Sequence, residues 1–452
     1  MDVTSVLYTL KTWVWSWPLL LLIFGCGLYI TWLLRGMQFS YLGYAFKQVI
    51  AKRREGSQGD ISPFQALMTS LAGAIGTGSI VGVATALTFG GAGALFWMWI
   101  TALIGMALKY AESVLAVKYR VKDEKGEMIG GPMEYIKRGL GWDKVAILFA
   151  VMGAIAAFGT GNLVQVNSIG DAIYSIWAID PWITGIVLAV ITGTVILGGV
   201  KSIGNVAGVL VPIMAFFYLA GGIFILMLNY DKIPAAFGLI FRSAFEGQAA
   251  AGGFLGATVM MAFQVGVARS VFTNEAGLGI SSIAAAAADT DSSARQALII
   301  MTGALLSTVI ICTMTGLVII VTGAFGFQGV DGSSLAGASM AIHAFATSFT
   351  GGAYVVTIGL ILFAFTTVIA WAYYGEKCCE YLFGTRSIIY YRIIFTLLVI
   401  PGCAMELRAV WYFADMMNGL MAIPNLIALL ALSKVIKEET DIFLKLERQE
   451  RN

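Results

Sequence analysis

Apolar runs of about 20 residues recur along nearly the whole chain, the length an α-helix needs to cross a hydrocarbon core about 30 Å thick. Charged residues make up only 12% of the 452 residues and hydrophobic ones 59%, whereas soluble domains carry about 25% charged residues. The sequence therefore predicts an all-α integral membrane protein built as one helical bundle. A net charge of +2 is too small to imply a nucleic-acid partner. Cys26, Cys312, Cys378, Cys379 and Cys403 lie in or beside apolar runs without metal-ligand spacing, so they read as reduced packing residues. The N-terminal run lacks a basic leader and a small-residue cleavage site, and is expected to be a retained helix.

Eleven spans are expected, over residues 17–35, 63–88, 94–118, 146–169, 183–200, 204–229, 253–287, 297–323, 353–379, 388–404 and 409–433. The seventh is too long for one straight helix and must be broken, tilted or extended. Basic loops tend to stay in the cytoplasm. The loops holding Lys47, Lys52, Arg53 and Arg54, then Lys118 to Lys144, and the tail with Lys437, Lys445, Arg448 and Arg451 all fall on one side if the helices alternate. That places the N-terminus outside and the C-terminus in the cytoplasm of a multi-pass plasma-membrane protein.

Without the first span, ten remain and divide into two fives. An odd number of helices per half forces the halves into opposite orientations, the arithmetic of an inverted-topology repeat. The expected organisation is an extra helix and basic loop over 1–61, a first repeat over 62–229, a second over 230–435 and a tail over 436–452.

In such repeats a pair of interrupted helices at matching positions points to a binding site. The first helix of the first half carries "GAIGTGS", Gly73 to Ser79, and that of the second half "MAFQVGVARSVFTNEAGLG", Met261 to Gly279. Three glycines within six residues make local unwinding cheap. The amides and carbonyls so freed are tolerated at membrane depth only where they line a cavity or meet a ligand. The amide end of a half-helix suits a carboxylate and the carbonyl end a cation. Small residues at this spacing also serve close helix packing, so both readings stand. On depth, the second break is expected at Gln264 to Val267, because "FTNEAGLG" lies nearer the cytoplasmic end.

Thr366 and Thr367 are adjacent hydroxyls in the ninth span. They either return hydrogen bonds to their own helix or supply oxygens to sodium, a hard cation. Asn162, Gln165 and Asn167 line a cavity or bond between helices. Arg269, Asn274, Glu275 and Glu112 read as a gate or ion-pair network, and His343 as structural. No Ser/His/Asp, Cys/His or paired-carboxylate arrangement converges in the spans, which disfavours an enzyme. A channel would need a continuous polar pore rather than two isolated breaks.

"GGAGALFWMWITALIGM", Gly90 to Met106, followed by "KYAESVLAVKYR", Lys109 to Arg120, resembles the signature region of the alanine/glycine:cation symporters, the sodium:alanine symporter family. "GGPMEYIKRGLG", "ARSVFTNEAGLG", "AWAYYGEK" and "MNGLMAIPNL" are similar to further segments of it, so the resemblance runs from about Ser62 to Ser433. It implies the five-plus-five architecture of the amino acid/polyamine/organocation superfamily, with one additional N-terminal helix. It also implies sodium-driven uptake of L-alanine, with glycine, D-alanine and serine as further candidate substrates. Carried over, the resemblance assigns the substrate to Ala74, Thr77 and Gly78 of the first break and to Phe263, Gln264 and Gly266 of the second. Phe158, Phe263, Phe272 and Trp371 are candidates for the pocket floor. Co-transported sodium would take the carbonyls of Ala72, Ile75 and Phe363 and the hydroxyls of Thr366 and Thr367. Ser79 replaces an asparagine common in that family. The rival within the same architecture, a proton-coupled carrier, needs a titratable residue at mid-membrane, and none is expected at the site.

Overall fold

The computed structural model describes residues 3–51, 57–246, 258–327, 335–405 and 407–451. Lys52, Arg53, Arg54 and the start of the expected seventh span at 253–257 lie outside them. The chain opens with α1 (Val3–Val14) and α2 (Trp17–Leu33), then two short helices, α3 (Met37–Ser40) and α4 (Leu42–Val49). Next comes an interrupted helix, α5 (Pro63–Ala74) and α6 (Val81–Gly90), and α7 (Gly93–Lys118). A two-stranded hairpin, β1 (Val121–Lys122) and β2 (Met128–Ile129), leads to α8 (Pro132–Leu140). A π-helical stretch, Ala157–Leu163, joins α9 (Asp143–Ala156) to α10 (Val164–Trp177), and α11 (Pro181–Leu197), α12 (Gly199–Leu228) and α13 (Ile233–Glu246) follow.

The second half holds α14 (Val259–Asn274), a short α15 (Ser282–Ala286), and α16 (Ser293–Ala304), which runs through a second π stretch, Leu305–Cys312, into α17 (Thr313–Val321). It ends with α18 (Gly337–Ala346), α19 (Gly352–Phe383), α20 (Ser387–Gly402), α21 (Leu407–Ala431) and α22 (Ser433–Arg451). Among the described residues six helices are long and apolar enough to cross a membrane, or seven if α1 and α2, bent by 40°, form one span. The remaining expected spans fall on shorter or interrupted helices: α5 with α6, α11, α14 with α15, and α20.

Local chemistry sets where these helices start. Ser62 accepts from the Gln65 amide at 3.2 Å while its own amide donates to the Gln65 side chain at 2.9 Å, a capping box with Pro63 in the first turn. Asp180 caps α11 before Pro181, and Thr258 caps α14. The cysteines are free, as expected.

Helix α7 is buried without interruption from Gly105 to Val117, which places it inside the bundle, packed against α2, α14 and α16. Three elements were not legible as spans. Helices α13 and α18 lie between spans, and on α18 His343 stacks on Phe327 at 4.3 Å. The expected tail is the amphipathic α22. It buries Ile436, Thr440 and Phe443, and bonds Tyr110 through Thr440 at 2.8 Å, Lys118 through Glu439 at 2.7 Å and Arg295 through Glu450 at 2.9 Å.

Where α5 begins and α15 ends, the main chain of 58–61 pairs with that of 287–290: the Asp60 amide meets the Ala287 carbonyl at 2.8 Å, and the Asp289 amide meets the Ile61 carbonyl at 2.7 Å. Arg120 adds bonds to the carbonyls of Gln58, Ala286 and Ala288 at 2.7 to 2.9 Å. The two interrupted helices are therefore joined at one end.

Candidate functional site

The first break opens where the glycines are. Helix α5 ends at Ala74, Ile75 and Gly76 leave helical geometry, and Thr77–Ser79 form a single 3₁₀ turn before α6. The Thr77 amide, released from the helical ladder, is taken by the side-chain oxygen of Gln165 at 3.1 Å, and Gln165 is held in turn by the Thr160 carbonyl at 2.9 Å. Thr160 belongs to the π stretch between α9 and α10, a distortion frequent at functional sites. Gly161 of that stretch is in direct contact with Trp371 of α19 and has no room for a side chain.

Gly76 is pinched between two polar groups. A methyl there would sit 2.5 Å from Thr367 Oγ1 and 2.9 Å from Gln165 Oε1. The Thr367 hydroxyl lies within 2.8 Å of the Ala72 carbonyl and 2.9 Å of the Phe363 carbonyl, while Thr366 Oγ1 lies 3.0 Å from the same Phe363 carbonyl. Ala72, Phe363 and Thr367 of the five expected sodium ligands thus meet, Thr366 bonds back to its own helix and turns its hydroxyl to Met214 of α12 at 3.5 Å, and Ile75 is the residue at which α5 ends. Oxygen donors of this kind, carbonyls and hydroxyls without carboxylate, suit a hard monovalent cation. Thr77 Oγ1 is buried and has no hydrogen-bond partner among the described residues, while Ser79 Oγ lies beside the Cys312 thiol. Beyond the break, Gly78 faces Phe272 and Thr273 of α14.

The second break differs from the expectation. Helix α14 is continuous from Val259 to Asn274, so Gln264 to Val267 are ordinary helix and their backbone is not freed. Phe263 packs against Trp97 at 4.9 Å, Phe24 at 5.3 Å and Trp17 at 5.9 Å, and Gly266 against Ala94 and Trp97 of α7. At 1.5 Å per residue, Gln264 stands about 16 Å along the axis from Glu275. Phe158 likewise faces α20, tilted against the rings of Tyr391 and Phe395, not the break.

Unwinding occurs in "EAGLGIS", Glu275 to Ser281, where Glu275, Gly277 and Gly279 all take positive φ. Helix α14 begins only at Val259, capped by Thr258, whereas the expected span begins at 253. The glycine-rich segment, set aside as too near one end, is brought level with the first break: Glu275 Oε1 lies 3.0 Å from where a Gly73 side chain would begin. This also overturns the expectation that no titratable group reaches the site, because Glu275 is fully buried there. Its carboxylate lies beside the Trp371 indole and within reach of the Lys109 charge. Lys109, buried in α7, had no assigned role; a lysine inside an otherwise apolar run was the signal that it carries one.

To one side of the breaks α14 is locked to α21. Arg269 forms a direct ion pair with Asp415, both almost fully buried. Lys11 approaches the same carboxylate at 3.7 Å, and the Trp15 indole donates to the Asp415 carbonyl at 2.8 Å. Below this lock Phe272 stacks on Trp411 at 5.3 Å, with the Arg269 guanidinium over both rings.

An apolar helical bundle with two unwound helices facing each other at its centre defines a membrane transporter. The sodium:alanine symporter family model matches residues 1–452, and the chain belongs to that family. It is 51% identical to the sodium/alanine symporter AgcS of Methanococcus maripaludis, over 100% of this chain and 99% of that one. The "Probable sodium/glutamine symporter GlnT" of Bacillus subtilis is 38% identical, with 94% of this chain and 87% of that one covered. Among solved structures, MhsT in complex with L-phenylalanine superposes with a TM-score of 0.60 at 16% identity, covering 82% of this chain and 89% of that one. That likeness is one of fold.

Proposed function

We propose that this protein is a secondary active transporter that carries L-alanine into the cell together with sodium by alternating access. Glycine, and then D-alanine and serine, are its next candidate substrates. In this reading α2 is the extra span, and ten further spans form two inverted repeats over 62–229 and 230–435. The N-terminus lies outside the plasma membrane and the C-terminus in the cytoplasm. The observation that carries the reading is Gly76: one backbone notch sets the Thr367 hydroxyl and the Gln165 amide side by side.

Sodium among the oxygens of Ala72, Ile75, Phe363, Thr366 and Thr367 holds the first break in its unwound form. The alanine carboxylate meets the amide side near Thr77 and Gly78, where Gln165 now sits, and the ammonium meets the carbonyl side at Ala74. Phe272 and Trp371 close the pocket around a single methyl. An extra methylene in such a pocket costs about 1–3 kcal/mol, so larger side chains are disfavoured.

Removing sodium is expected to abolish concentrative L-alanine uptake into vesicles reconstituted with the protein. Uptake that persists in potassium under a proton gradient alone would refute sodium coupling. That outcome would support the second reading, a proton-coupled carrier of small neutral amino acids, which the fully buried Glu275 beside the first break favours. The site itself is checked by two glutamines. Gln165→Ala is expected to raise the alanine KM about tenfold, because it removes the side chain that holds the first break open at Thr77, on the scale of a buried polar group left unpaired. Gln264→Ala, in intact helix, should leave it within about twofold of wild type, since surface changes far from such features have small effects. The reverse order would move the break back to Gln264.

A further inference from the structure

The second break is filled by protein, and one face of α7 does much of the filling. Lys109 donates from Nζ to the carbonyl of Asn274, the last residue of α14, at 2.8 Å. Three residues on, and so on the same side of the helix, Glu112 accepts from the Gly279 amide at 3.1 Å. A cation thus takes a carbonyl freed where unwinding starts, and a carboxylate takes an amide freed near where it ends. Asn425, bonded to Glu112 at 2.8 Å, holds the Gly277 carbonyl at 2.9 Å, and the Asn274 side chain holds the Ala276 amide at 2.9 Å. These bonds explain how a break stands in an apolar bundle, where an unpaired backbone group is costly.

Lys109 does more than close a carbonyl. Its ammonium also reaches Ser70 Oγ of α5 at 3.3 Å, two residues before Ala72, whose carbonyl belongs to the proposed sodium set. The neighbouring turn of α5 is fixed by Tyr374, whose hydroxyl donates to the Thr69 carbonyl at 3.2 Å, and by Glu275 against Gly73. Lys109 is 1% exposed, so no water competes for its donors, and the charges that reach it are those of Glu112 and Glu275. One tetrahedral ammonium can serve two helices at once because it carries three donors, and charge-assisted bonds are the strong ones.

We propose that Lys109 is a positioning residue that ties the end of α14 to α5, so that cation binding at the first break and ordering of the second break become one event. The inference rests on the sodium-coupled reading above. Through it, sodium raises alanine affinity without touching alanine, because the end of α14 that Lys109 holds carries Phe272, which lies against Gly78 in the pocket, so both sites bias one element.

The test measures alanine affinity of the purified protein with and without saturating sodium, and sodium binding alone, in wild type, Lys109→Met and Ser70→Ala. Wild type is expected to bind alanine more tightly with sodium. Lys109→Met should shrink that ratio about tenfold, and Ser70→Ala about threefold, the scale of a charged and a weaker hydrogen bond respectively, with sodium binding alone within twofold of wild type. Should Lys109→Met fail to fold, Ser70→Ala decides, since it keeps the bond to Asn274. Ratios equal to that of wild type, or equal losses of sodium and alanine binding, overturn the inference. A wild-type ratio of one would instead defeat the sodium reading and take the inference with it.

Discussion

Gly76→Ala is expected to lower alanine uptake about ten- to a hundredfold while the protein still folds. Overpacking a tight site costs about 1–3 kcal/mol, and about 1.4 kcal/mol is a factor of ten. The added methyl meets Thr367 Oγ1 and Gln165 Oε1, and neither can retreat. Thr367 is tied to the carbonyls of Ala72 and Phe363, and Gln165 to Thr77 and Thr160. Uptake into vesicles with matched protein content measures the loss, and size-exclusion of the detergent-solubilised variant measures folding. Near wild-type uptake would mean that neither group is at the transport site.

The lock between α14 and α21 supports a second large effect. Asp415→Ala leaves the Arg269 guanidinium buried without its carboxylate, and breaking a buried pair on one side costs about 3–5 kcal/mol. A drop of several degrees in melting temperature in detergent is therefore expected. Replacing both partners by leucine removes the stranded charge and should recover much of that loss. A double variant no more stable than Asp415→Ala would show that the pair contributes beyond its own charge balance, through Lys11 or the Trp15 bond to the Asp415 backbone.

The first break was legible in the sequence because glycine has a local, residue-level signature: Gly73, Gly76 and Gly78 in an apolar run predict unwinding wherever the helix lies. The threonine pair stood out as hydroxyls in hydrocarbon, and the two alternatives read for it divide between them: Thr366 bonds back to Phe363 of its own helix, while Thr367 also reaches Ala72 across the bundle. The second break was misplaced for a different reason. Depth locates it only as well as the start of α14 is known, and composition blurs that boundary. Glycine content alone pointed to Gly277 and Gly279, where the chain takes positive φ.

Gln165 was visible as a polar residue but not as the partner of Thr77, because the π stretch that turns it inward leaves no pattern in the sequence. The role of Lys109 was invisible for the converse reason. Its partners, Ser70 and the Asn274 carbonyl, are 39 and 165 residues away, and one of them is a backbone atom that any residue would supply.

The join between residues 58–61 and 287–290 is made of five main-chain hydrogen bonds. A contact of that kind constrains spacing rather than identity. Side chains along it are free to drift between relatives, except at Gly59, whose Cα lies directly against the backbone of Ala288 and Asp289. The number of residues between the join and the capping box at Ser62 is not free. One inserted residue there would turn the register of the strap against α5, so in this family the join should tolerate substitutions and resist insertions and deletions.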